Sequence, residues 1–134
     1  MLYRQKKDTY IRNYDGVGYI TSTGLFNDRC TNESGTAFLC ALDRRARTLD
    51  ELVDRIMLAF EGVGRETVMA DAAEFYAALE ADGFIVTGET EEELAAKDRG
   101  FTYGAARHGF LQDENMLEMF ILFHKFRPPN DYIV

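Results

Sequence analysis

The sequence predicts an α+β domain in which short strands come first and helices follow. Turn dipeptides divide the first thirty residues into short segments, whereas residues 37–82 carry apolar side chains at helical spacing. A chain of 134 residues is long enough for one domain with its own core, with or without an appendage. Hydrophobic residues make up 46% and charged residues 28%, which excludes a wholly disordered chain, and two cysteines exclude a disulfide scaffold.

The N-terminal residues predict a three-stranded antiparallel meander. Tyr10–Tyr14 alternates weakly and is followed by Asp15-Gly16, a dipeptide that favours a tight hairpin. Val17–Ile20 continues as the second strand, and Thr23-Gly24 marks the next turn. Leu25–Cys30 is the predicted third strand.

Three helices are predicted after the meander. The first has its apolar stripe in residues 37–42, with Thr31, Asn32 or Ser34 as the candidate N-cap. The second ends near Gly62 and Gly64. Its apolar positions repeat at helical spacing, at Leu49, Leu52, Val53, Ile56, Met57 and Phe60.

The sequence contains clear signals for the start of the second helix and for the end of the third. Thr48 and Glu51 form a capping box at the start of the second helix. The third helix is predicted over residues 66–82, and Gly83 ends it. Phe84–Val86 then reads as a short strand that returns to the sheet.

The character of the chain changes at Gly88, so we expect residues 1–87 to form the domain and residues 88–134 a linker and helical extension. Glu89–Glu93 is a charge run, typical of a linker or of the solvated start of a short helix. A last helix, predicted over residues 113–126, is apolar over a wide arc. We expect it either to fold back on its own domain or to form an interface, including a homo-oligomer, through Met116, Leu117, Phe120, Ile121 and Phe123.

Charge and hydropathy limit the partners. The formal net charge of −8 disfavours general binding of nucleic acid, because phosphates require a basic surface. No secretory apolar region follows Met1, and the longest apolar run, Ala37–Leu42, is far shorter than the ~20 residues that span a bilayer. We therefore expect a cytoplasmic protein with reduced cysteines and no membrane partner.

No group of residues predicts catalysis, a cofactor or a resident metal. His108 and His124 lack a metal-ligand spacing, although two histidines and two cysteines leave a zinc site conceivable in space. Cys30 is expected in a strand and Cys40 in the core of the first helix. The two Gly-Val-Gly segments, at residues 16–18 and 62–64, do not complete a dinucleotide fingerprint and read as turns.

The order of the elements predicts a winged-helix-like unit with a C-terminal helical extension. Helices two and three would form a helix-turn-helix, and such folds bind either DNA or peptides. The third helix carries Arg65 at its start but is otherwise acidic, which argues against a DNA groove. A small sheet with an outer strand is instead suited to receive a peptide strand.

Three segments, in the right order and at the right spacing, resemble the PqqD-like proteins. Cys30–Phe38 (CTNESGTAF) is similar to their strand-to-helix junction, L-N-x-T/S-G. Arg47–Val53 (RTLDELV) is similar to their second helix, T-x-x-E-L-V, and Leu79–Ile85 (LEADGFI) to their closing L-x-x-x-G-L/F-I. The resemblance covers roughly residues 8–87, and Cys30 departs from it where the family usually has a larger apolar residue.

This resemblance implies a peptide-recognition module, also called a RiPP recognition element, without catalysis of its own. Such modules hold the leader of a ribosomally made precursor peptide for a modifying enzyme, separate or fused and often a radical S-adenosylmethionine enzyme. The leader adds beside the third strand, which here is Leu25, Phe26, Asn27, Asp28, Arg29 and Cys30. It packs against the third helix, which here offers Val68, Ala72, Phe75, Tyr76 and Leu79.

Two other interpretations remain open. One is a winged-helix regulator that binds DNA. The other is a structural domain of a larger enzyme, truncated at Val134. Residues 126–134 resemble the entry to a radical enzyme domain, but the C-x-x-x-C-x-x-C motif that would bind its iron–sulfur cluster is absent from this chain.

Overall fold

A computed structural model describes residues 1–98 of the chain, and its α+β architecture confirms the predicted fold class. The strands are β1 (Leu2–Gln5), β2 (Thr9–Tyr14), β3 (Val17–Ser22), β4 (Asn27–Cys30), β5 (Arg47–Thr48) and β6 (Ile85–Gly88). The helices are α1 (Glu33–Ala41), α2 (Leu49–Met57), α3 (Arg65–Ala81) and α4 (Glu91–Lys97). The predicted helix over residues 113–126 lies outside the described residues.

The predicted meander is present as an antiparallel sheet in the order β2-β3-β4. Asp15 and Gly16 turn the first hairpin with φ of 51° and 87°, and Asn13 Oδ1 accepts a hydrogen bond from the Gly16 N–H at 2.9 Å. The third strand is shorter than predicted. Leu25 and Phe26 belong to the turn before β4, because Phe26 has a left-handed φ of 51° that no strand residue adopts.

A second sheet, in the order β5-β1-β6, was not predicted. The strand predicted at residues 84–86 forms, but it pairs with β1 and not with the meander; the register runs from Leu2 opposite Gly88 to Gln5 opposite Ile85. β1 carries no apolar alternation that would reveal it in the sequence. It becomes a strand because the fully buried β6 requires backbone partners.

The predicted helix signals act as expected at most ends. Asn32 caps α1, with its Oδ1 accepting from the Gly35 N–H at 2.8 Å, and Thr48 and Glu51 form the capping box of α2. α2 ends at Met57, a few residues earlier than predicted. Gly83, with φ of 86°, follows the end of α3.

The acidic run after Gly88 forms the helical alternative, α4. Thr90 caps this helix, and Leu94 is its one fully buried side chain within the described residues. Just beyond the helix, the Asp98 carboxylate lies 2.8 Å from Nη1 of Arg4 in β1. α4 thus packs on the second sheet, while the division of the chain at residue 87 stays a prediction.

The core lies between α1, α2, α3 and the two sheets. Phe38 of α1 meets Phe75 of α3 edge to face at 5.4 Å, and the Tyr76 hydroxyl donates to the Phe38 carbonyl at 2.6 Å. The prediction for Cys40 was wrong: its side chain is exposed, because it lies on the opposite side of α1 from Phe38.

Candidate peptide-binding site

Within residues 1–98, β4 is an outer strand of the three-stranded sheet, and it contains most of the edge at which the resemblance implies leader binding. β3 and β4 pair in register from Tyr19 opposite Cys30 to Ser22 opposite Asn27. The next residue, Thr31, donates its N–H to the Gly18 carbonyl at 2.8 Å. Since backbone groups alternate along an antiparallel strand, the amides of Asp28 and Cys30 face away from β3. They point to the side on which an additional strand would pair.

Arg29 connects this strand to the end of α3. Its side chain is 1% exposed and lies 3.3 Å from the Asp82 carboxylate, measured from Nη2 to Oδ2. Its guanidinium also stands over the Phe84 ring, 5.5 Å from the ring centre. Nη1 donates to the Asn27 side chain at 2.8 Å and to the Asp28 carbonyl at 2.7 Å. Arg29 is therefore a structural link between β4 and α3 and does not offer its side chain to a ligand.

The turn before β4 contacts the same end of α3. A Cβ placed on Gly83 would lie 2.8 Å from Cδ1 of Leu25, and Gly83 also has the positive φ that favours glycine. Gly83 thus ends the helix and makes room for Leu25. Together with the pair formed by Arg29 and Asp82, this contact fixes the distance between the outer strand and the helix.

The helix residues expected to line the site are core residues in this structure. All five are between 0% and 3% exposed, and they are Val68, Ala72, Phe75, Tyr76 and Leu79. Burial raises the pKa of the Tyr76 hydroxyl, which stays protonated. The apolar stripe of α3 therefore faces the interior, and its contact with a leader stays a prediction. Other residues of the helix lie on the side that faces Arg29.

Helical geometry identifies those residues. Asp82, at the end of α3, faces Arg29, so Ala78 and Asp71, four and eleven positions earlier, lie on the same side of the helix. Both are partly buried. The sequence does not single them out, because a small residue and an acid do not stand out beside an apolar stripe. The signal was available in the helical spacing that leads back from Asp82.

The remaining strand residues are half-buried and offer no reactive group. Asn27, Asp28 and Cys30 are each partly exposed, and Cys30 is a strand residue as predicted. Burial, and then the charge of Asp28, raise the pKa of the Cys30 thiol, so it stays protonated at neutral pH. A protonated thiol is a weak nucleophile and a poor metal ligand.

Residues 1–98 contain no group of three or more metal-binding side chains. His108 and His124, the other members of the conceivable zinc site, lie outside this range. No helix within the same range is long and apolar enough to cross a membrane.

Residues 30–85 match the family model described as Coenzyme PQQ synthesis protein D (PqqD). Over these residues the chain is similar to that family, and the similarity supports a PqqD-like domain. The match runs from the last residue of β4 through α3 to the first residue of β6, so it includes all three segments that carried the resemblance. No curated protein and no solved structure matches the chain. The PqqD-like domain supports an accessory, peptide-binding role in the biosynthesis of modified ribosomal peptides.

Proposed function

We propose that this domain binds the leader segment of a ribosomally made precursor peptide at the outer side of β4. The leader would add as a further strand and contact α3 with alternate side chains. The observation that carries the proposal is the position of β4: it is the outer strand of its sheet and is tied to α3 through Arg29 and Asp82. An added strand would then lie beside a helix at a fixed distance.

The backbone alone gives such a strand too little affinity. The amide and carbonyl groups of Asp28 and Cys30 point outward, but the Asp28 carbonyl already accepts from Arg29, so about three groups remain for a leader. At ~0.5–1.5 kcal/mol each, these contribute roughly 1.5–4.5 kcal/mol, whereas micromolar affinity requires about 8 kcal/mol. Ordering a disordered leader costs a further ~2–5 kcal/mol. Apolar anchors are therefore required, each contributing ~1.5–3 kcal/mol when fully buried.

The α3 side of the site suggests where such an anchor would be accommodated. Ala78 is small and partly buried, and it lies on the side of α3 that faces Arg29, so we expect an apolar side chain of the added strand to pack over it. Phe75, Tyr76 and Leu79, which were predicted to line the site, would support it from the core.

The chain would act without catalysis of its own. It would hold the leader while a modifying enzyme, separate or fused, acts on the core of the precursor. The resemblance favours a radical S-adenosylmethionine enzyme as that partner. No cofactor is assigned to this domain.

The test is a titration with peptides encoded by short reading frames beside the gene, followed by backbone amide shifts. Asp28→Pro removes an amide donor on the side away from β3, which an edge strand tolerates. We expect it to lower affinity by roughly tenfold, since one hydrogen bond is lost and the ring obstructs the partner strand. Asp28→Asn keeps the amide and is the matched control, with near wild-type affinity expected. Wild-type affinity in a folded Asp28→Pro variant would show that strand addition at β4 is wrong.

A further inference from the structure

The positive charge of this acidic protein is concentrated on one surface. Five cationic side chains form no ion pair with any carboxylate in residues 1–98, whereas the other described cations do. The five are Lys6, Lys7, Arg12, Arg44 and Arg45. We call them the basic surface. Arg44 connects them: its Nη1 donates to the backbone carbonyls of Lys6 and Lys7, both at 3.1 Å, and it lines one concavity with Arg12 and another with Arg45.

The basic surface borders a groove beside β2, the other outer strand of the meander. This groove has a volume of ≈ 390 Å³ and is lined by β2, by Cys40 and Leu42 at the end of α1, and by Arg44. Arg44 also lines an adjoining open cleft together with Arg4 and Arg45. The two concavities share Arg44 as a lining residue, and we call them together the basic channel.

Several contacts fix Arg44 at the centre of that channel. Its guanidinium stands over the Tyr10 ring, 5.4 Å from the ring centre, and Nη2 donates to the Thr9 carbonyl at 2.7 Å. Tyr10 itself is 47% exposed, a large fraction for an aromatic ring on a strand. Arg44 thus presents its charge without the loss of side-chain entropy that a flexible surface arginine would incur on binding.

The outer strand offers backbone groups as well as charge. Thr23 donates to the Asp8 carbonyl at 2.9 Å and so sets the alternation along β2, which directs the amides and carbonyls of Ile11 and Asn13 away from β3. Nothing within residues 1–98 hydrogen-bonds to these backbone groups. At Thr9 the same side of the strand is already occupied by Arg44 and by the Gln5 amide.

We propose that the β2 groove and the basic surface bind an acidic, extended polypeptide segment of a partner protein. Backbone groups at Ile11 and Asn13 would pair with the segment, and its carboxylates would reach Arg12, Arg44 and Arg45. A polypeptide is favoured over nucleic acid because outward carbonyls need a hydrogen-bond donor, which a phosphate lacks. Three acids limit the surface: Glu91 and Asp43 line the adjoining cleft, and Asp98 is paired with Arg4. This site is separate from β4 and does not depend on leader binding there.

The test uses an acidic peptide of about ten residues with alternating glutamate and valine, and a second peptide with glutamine in place of glutamate. Anisotropy and backbone amide shifts are measured with the full chain. We expect binding of the acidic peptide with shifts at Ile11 and Asn13, steep weakening by salt, and little binding of the glutamine peptide. Shifts confined to β4, or equal binding of both peptides, would overturn the proposal.

Two double variants with the same change of net charge distinguish binding by this surface from an effect of the overall charge of the protein. Lys7→Gln with Arg45→Gln removes two charges whose side chains make no hydrogen bond in residues 1–98. Ala70→Glu with Ala77→Glu makes the same charge change at exposed positions of α3. We expect the first to weaken binding roughly tenfold and the second by less than about threefold. Equal weakening would overturn the proposal, as would tighter binding of a single-stranded DNA oligonucleotide with shifts at the same residues.

Discussion

Gly18 shows how a single residue holds the meander against the first helix. Its amide donates to Thr36 Oγ1 at 2.7 Å, and the Thr31 and Thr36 hydroxyls lie 2.9 Å apart. A Cβ on Gly18 would stand 2.7 Å from Thr31 Oγ1 and 3.1 Å from both Thr36 Oγ1 and Leu39 Cδ2. The surrounding groups would have to move, and three of them are fixed by hydrogen bonds or core packing.

We therefore expect Gly18→Ala to lower the free energy of unfolding by about 1–3 kcal/mol, the usual cost of overpacking. Gly64→Ala is the matched control, because a Cβ there meets nothing within 4 Å and the backbone φ is −72°. Its effect should stay below about 1 kcal/mol, the cost of replacing glycine by alanine at the N-cap of α3. Urea denaturation of both variants measures the difference, and equal effects would contradict this account of the threonine cluster.

At the scale of secondary-structure elements, the connection between β4 and α3 sets the position of the strand relative to the helix at the proposed leader site. Arg29 and Asp82 are 1% and 11% exposed, so removing the cation breaks a largely buried ion pair. We expect Arg29→Met to lower the free energy of unfolding by about 3 kcal/mol, as is typical when one member of a buried pair is removed.

Asp82→Asn in the Arg29→Met background is the control. It removes the uncompensated charge, so it should restore part of the stability, and the two changes should be strongly non-additive in a double-mutant cycle. Thermal or urea unfolding of the four proteins measures this coupling. Additive effects would show that the two side chains do not act as a pair.

The elements that the sequence predicted well are those set by local chemistry. Asp15-Gly16, the capping box of Thr48 and Glu51, and Gly83 each act through neighbours along the chain, so their outcome can be read from a short segment. β1 could not be found in this way, because Leu2–Gln5 becomes a strand by pairing with β5 and β6, both more than forty residues later in the chain.

Prediction of the candidate site is limited in the same way, because it depends on contacts between distant parts of the chain. The apolar stripe of α3 predicted which face of the helix is covered, but the sequence could not tell whether core or ligand covers it. The structure assigns that face to the core. The residues beside β4, Ala78 and Asp82 among them, gain their place from the contact between Arg29 and the end of the helix, which links positions fifty-three residues apart.

At the scale of the whole molecule, the distribution of charge matters more than its sum. The net charge is −8, yet the basic surface beside β2 carries five cations without an ion pair in residues 1–98, whereas the cation of β4, Arg29, is paired with Asp82. If both proposals hold, the two outer strands of one small sheet would select different segments, with acidic side chains favoured at β2 only. The domain would then bind two different peptides without competition between them.

The apolar segment over residues 113–126 is the other feature that concerns the whole molecule, and its role rests on the sequence. Its spacing predicts a helix with Met116, Phe120 and Phe123 on one face, and each large apolar side chain left in water forgoes ~1.5–3 kcal/mol of burial. We expect this face to associate with a second copy of the chain, because residues 1–87 already carry enough apolar faces to form one core. Wild-type stability should then rise with protein concentration.

Phe120→Asp tests this association, because a carboxylate at the centre of the apolar face opposes burial. Analytical ultracentrifugation should show a monomer for the variant and a larger species for the wild type. Gln112→Asp is the control: it adds the same charge just before the predicted helix and should leave the association unchanged. If the wild type sediments as a monomer at high micromolar concentration, while Phe120→Asp lowers its melting temperature at every concentration, the helix docks on its own domain and the expectation of an oligomer is wrong.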